Sequence, residues 1–103
     1  MTRTMTRTMP RTPETLAYLA HHLRRRASQL LARAASRCNP LSLPAVCSLT
    51  ATAYRALARA ASLTADLHQA LGRVLPMCEA ATRARAYGIL ASAYAHAADL
   101  RGA

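Results

Sequence analysis

From Val46 to Val74, apolar and small residues recur at alternating spacings of four and three: Val46, Thr50, Ala53, Leu57, Ala60, Thr64, Leu67, Leu71 and Val74. At 100° per residue these positions stay on one side of a helix. Arg55, Arg59, Ser62, Asp66, Gln69 and Arg73 repeat on the opposite side with the same alternation. Two complementary stripes held in phase are the heptad pattern of a coiled coil. They predict one unbroken helix over 44–75, with no turn between Ala45 and Leu75.

A first helix is predicted over 13–37. Thr12-Pro13-Glu14 supplies an N-cap hydroxyl, a proline at the first helical position and an acid in the first turn. Leu16, Leu19, Leu23, Ala27, Leu30 and Ala34 then form a stripe at helical spacing. The segment from Cys38 to Pro44 carries two prolines and reads as a short connector. A third helix is predicted over 77–100, with Pro76 at its start. Alanine dominates every face of it, and Tyr87, Ile89, Leu90 and Tyr94 are spread around its circumference. A helix without a polar side is expected to be buried on several sides. Gly88 in its middle costs roughly 1 kcal/mol relative to alanine.

Three helices with short connectors predict an all-α fold, an antiparallel bundle forming one domain over 13–103. The second helix should overhang the others by about 10 Å at 1.5 Å per residue. Residues 1–12 repeat a Met-Thr-Arg-Thr unit without an apolar face and read as a disordered basic arm. Met5 and Met9 offer alternative starts. Threonine stands where an amphipathic presequence would need apolar residues, so the arm is not read as a targeting signal.

Composition refines this picture. The chain has 103 residues, enough for one small core, with 25 Ala, 15 Leu and four Tyr as its only aromatics. Such a core is aliphatic and supplies modest stability, which makes another protein or self-association a natural source of cover. Fourteen arginines and no lysine against four acids give a formal charge of +10. A GC-rich coding sequence accounts for arginine replacing lysine but poorly for the shortage of acids. The positive balance therefore suits nucleic acid, anionic lipid or an acidic protein surface. It is concentrated in residues 1–37, which hold eight arginines and one acid.

Candidate chemistry is sparse. Cys38, Cys47 and Cys78 form no CxxC pair and are expected to be reduced, partly buried thiols, with a Cys38–Cys47 bridge the lesser alternative. His68 has no His, Cys or Asp one helical turn away and His96 has only Asp99, so no metal site is expected. No nucleophile elbow, phosphate loop or GxGxxG occurs, and no enzyme activity or cofactor is expected. No run of 18 apolar residues could span a membrane. A cytoplasmic protein is the expectation.

Two motifs resemble known families. His21-His22 followed by Arg24-Arg25-Arg26 resembles the phospho-accepting helix of two-component kinases in setting histidine beside basic residues. No nucleotide-binding segment accompanies it, and a solvated basic face is the reading. Ala53-Tyr54-x-x-Leu57-Ala58 recurs 33 residues later as Ala86-Tyr87-x-x-Leu90-Ala91. With Tyr94, the second copy resembles the first helix of a tetratricopeptide repeat. That repeat implies a turn near Asp66, inside the stretch read as continuous, and Ala61, Pro76 and Thr82 depart from its pattern.

The functional expectation is a non-enzymatic helical module, an inhibitor, adaptor or chaperone-like modulator. It would dock its amphipathic second helix on another protein through Val46, Ala53, Leu57, Leu67 and Leu71. The alternative is sequence-tolerant nucleic-acid binding by the arm together with Arg24, Arg25, Arg26, Arg33 and Arg37. Binding to a membrane surface ranks below both.

Overall fold

The computed structural model describes residues 12–35 and 42–102, with side chains described as far as Leu100. Within them lie three helices: α1 (Pro13–Ala35), α2 (Leu43–Ala70) and α3 (Val74–Gly102). They form the all-α three-helix bundle that the periodicity predicts. Residues 1–11 of the basic arm, Arg37 and Cys38 lie outside the described residues.

Each helix begins where local chemistry can satisfy its free N–H groups. Thr12 caps α1, as its hydroxyl ahead of Pro13-Glu14 predicts: it accepts from the Thr15 backbone N–H at 3.2 Å. Its carbonyl accepts from the Leu16 N–H. Ser42 caps α2 in the same way, with extended backbone and a side chain accepting from Ala45 N–H. Pro44 then sits in the first turn, where its missing donor costs nothing.

The predicted second helix runs five residues too far at its C-terminal end. Rather than running to Leu75, α2 stops at Ala70, and α3 begins at Val74 instead of Met77. Leu71–Arg73 make a turn whose hydrogen bonds define a Schellman cap. Gly72 N–H donates to the Gln69 carbonyl, and Arg73 N–H donates to the His68 carbonyl at 2.8 Å. Gly72 takes φ +75°, the left-handed conformation that glycine adopts without a Cβ penalty. Pro76 lies in the first turn of α3, so it neither ends α2 nor breaks α3. The amphipathic phase survives the turn by coincidence, because Leu71 and Val74 flank it. With 28 and 29 residues, α2 and α3 are nearly equal in length, and the expected overhang of the second helix beyond the third is absent. The chain is helical through Ser62 and Asp66, so the turn that a tetratricopeptide repeat requires is not there.

Helix α2 is central. Cα atoms approach within 8 Å between α1 and α2 and, more extensively, between α2 and α3; α1 and α3 make no such approach among the described residues. The two seams differ in chemistry. On the α1 side, Leu16, Ala20, Ala60 and Leu63 form a buried cluster with Leu19, Leu23 and Leu67 packed against it. On the α3 side, Ala80 and Ala91 are buried, and Tyr54 stacks on Tyr87 and Tyr94 with centroids 6.0 and 5.7 Å apart. Threonines fit inside these helices because their hydroxyls bond their own backbone. Thr50 donates to the Val46 carbonyl and Thr64 to the Ala60 carbonyl, both at 2.8 Å, which leaves each methyl for packing.

Candidate docking surfaces

The apolar stripe of α2 is largely consumed within the chain. Ala53 has no exposed surface, Ala60 is buried, and Leu67 packs on the leucine cluster. Val46 and Leu57 are half-buried. Of the five residues expected to meet a partner, Leu71 alone is exposed, and it belongs to the turn rather than to the helix. The reason is topological. A helix flanked on two sides spends a wide apolar arc on its own neighbours, leaving Arg55, Arg59 and Ser62 to face solvent.

Apolar surface remains instead on α3, contrary to the expectation that this helix is buried on several sides. Among the described residues it is covered on one side, by α2. Leu75, Ile89 and Leu100 are 70, 71 and 67% exposed, and Val74, Leu90 and Tyr94 also reach solvent. Counting 100° per residue from buried Ala80, the positions of Leu75, Ile89 and Leu100 fall near 180–220°, on the face turned away from α2. Ala86 and Ala93 are exposed on the same face. Isolated exposed leucines are ordinary; here Leu75, Ile89 and Leu100 share one line of α3 with exposed Ala86 and Ala93, interspersed with Glu79, Thr82 and His96.

The arginines expected to act together are divided. Arg24 turns toward the bundle, where its Nη1 donates to Thr64 Oγ1 at 3.3 Å. There it lines a recess of about 110 Å³ with Arg83 and Tyr87 of α3, over a floor of Ala60 and Ala61 of α2. No carboxylate lines that recess. Arg25 and Arg26 point outward and share a concavity with His22 and Gln29. The His22 ring stacks on Tyr18, which is 65% exposed, with centroids 6.3 Å apart and planes 12° from parallel. Arg33 lies further along α1 and is exposed. The aromatic pair was not singled out from sequence. The i, i+4 spacing of Tyr18 and His22 was the available signal.

Cys47 is a buried free thiol, whereas Cys78 is free and exposed on α3, contrary to the expected partial burial. No three His, Cys, Asp or Glu side chains converge on a point among the described residues. Among the described residues no helix is long and apolar enough to cross a membrane. Comparison with protein families, with characterised proteins and with solved structures returned no match.

Proposed function

We propose that the protein is a non-enzymatic docking module whose binding surface is the outer face of α3 rather than the stripe of α2. The observation that carries this reading is the line of Leu75, Ile89 and Leu100, each about two-thirds exposed or more, on a helix that α2 alone covers among the described residues. Covering such a line removes apolar area from water at about 25 cal/mol per Å². A second helix laid along it is the fitting occupant, because the exposed positions follow helical spacing. A photo-crosslinking residue placed at Ile89 should capture a protein in cells, while the same residue at Gln29 on the outer side of α1 should not. Equal capture at both positions, or none at Ile89, overturns the reading.

One observation favours a second reading, sequence-tolerant binding of single-stranded nucleic acid along α1. Tyr18 stacked on His22 beside Arg25 and Arg26 combines an exposed ring face with cationic groups. Under it, retardation of a labelled oligonucleotide should weaken steeply with salt, and Tyr18→Ala with Arg25→Ala should weaken it at every salt concentration. A chain that leaves the oligonucleotide unretarded at low salt removes this reading.

A further inference from the structure

The outer face of α3 carries a heptad register that reads the same in both directions. From Leu75, alternating steps of four and three lead through Glu79, Thr82, Ala86, Ile89, Ala93 and His96 to Leu100. All eight residues are exposed. The midpoint of the series falls between Tyr87 and Gly88. Reversal about that point exchanges Leu75 with Leu100, Glu79 with His96, Thr82 with Ala93 and Ala86 with Ile89. In each exchange, a residue at the first core position of the heptad meets one at the second, which is the layer pattern of two antiparallel helices in knobs-into-holes contact.

We infer that the occupant of this face is a second copy of the same chain, packed α3 against α3 in antiparallel orientation about a two-fold axis passing near Gly88. This deepens the docking reading and rests on it. A two-fold interface must be self-complementary, with residue i meeting j and j meeting i, and the series satisfies that condition in size and in polarity, since the Glu79 carboxylate can accept from an imidazole N–H of His96. Leucines close both ends, and the bulky Ile89 meets the small Ala86 on either side of the axis. Glu79 comes opposite His96 of the second copy twice over. In a parallel pair, Glu79 would face Glu79 and His96 would face His96.

The flanks agree. Arg85 comes opposite Ser92 and Arg83 opposite Leu90, so neither arginine meets its own symmetry mate. Over Val74–Gly102, three arginines stand against Glu79 and Asp99, a formal charge of +1, whereas the described part of α1 carries four arginines and one acid, a formal charge of +3. Because α1 lies across α2 from α3, pairing through α3 holds the two basic helices apart. Thr82 can enter the contact without an unsatisfied hydroxyl, because it donates to the Cys78 carbonyl at 2.9 Å.

The contact runs from Leu75 to Leu100, about 38 Å of helix about 10 Å wide, and buries on the order of 1,000 Å² in total. That is the low end for a specific interface, where transient contacts lie, so a reversible dimer with a dissociation constant of about micromolar order is expected.

Sedimentation equilibrium of the full chain from about 1 to about 200 μM, which brackets that constant, should give a monomer–dimer isotherm. Ile89→Glu should weaken the dimer about tenfold or more, since it places a charge at the centre of the contact, while helicity by circular dichroism stays unchanged because Ile89 touches solvent in the monomer. Glu79→Arg sets arginine opposite His96, and His96→Glu sets two acids opposite each other; each should weaken association by about two- to fivefold. The double variant sets arginine opposite glutamate across the axis and should recover most of the lost affinity. A chain monomeric throughout, a dimer indifferent to Ile89→Glu, or a double variant no better than its parents overturns the inference. If the chain is monomeric but a crosslinker at position 89 captures a protein of different mass, the docking face stands and the second copy falls. If there is no adduct at all, both fall.

Discussion

The two seams of α2 solve the same problem with opposite materials. Against α1, leucines interlock around Leu16 and Leu63, so stability resides in bulky side chains whose removal leaves a void. Against α3, alanines at Ala80 and Ala91 provide little bulk, and three tyrosines stack beside them. Alanine contributes little buried area per residue, so this seam must be stabilised by close backbone approach and ring contacts rather than by leucine burial. The comparison teaches why the chain can spend its leucines unevenly: a seam built from small residues leaves Leu75, Ile89 and Leu100 free for the outside of α3.

The contrast makes opposite mutations harmful on opposite sides. Leu16→Ala should cost about 2–4 kcal/mol in chemical denaturation, by loss of transfer energy and creation of a cavity. A cost below that of an ordinary surface substitution would mean that the leucine seam closes around the gap. Next in size, Ala80→Leu should cost about 1–3 kcal/mol by overpacking, since Ala80 is 1% exposed. A neutral or stabilising result would erase the distinction between the seams. Tyr54→Leu keeps much of the apolar bulk and removes the ring contacts, for which a loss of about 0.5–1.5 kcal/mol is expected. The smallest effect has the reverse sign. Gly88→Ala should stabilise α3 by about 0.5–1 kcal/mol, seen as a raised thermal midpoint, because a Cβ at Gly88 meets nothing within 4 Å.

Much of the fold is legible in the residues. Thr12-Pro13-Glu14 marks the start of α1, and its stripe from Leu16 to Ala34 is the face that packs. The Leu71–Arg73 turn is not legible in the apolar spacing, although Gly72 stands at the position a Schellman cap favours. The apolar spacing stays in phase across it, and a period alone cannot distinguish one long helix from two helices joined by three residues. The docking residues were harder still. Periodicity identifies that Ala53 and Leu67 need cover but not whether the cover comes from α1, α3 or another molecule, which depends on the order of helices in space. The outer face of α3 escaped notice for a related reason: with alanine on every side, it has no polar arc against which an apolar line stands out.

The short Gly72 turn also bears on how the chain acquires its structure. Three residues separate α2 from α3, whereas residues 36–42 separate α1 from α2. Closing the shorter loop costs less chain entropy. The α2–α3 hairpin should therefore be the kinetic nucleus, with α1 arriving afterwards. If so, Leu16→Ala would accelerate unfolding while leaving the refolding rate nearly untouched.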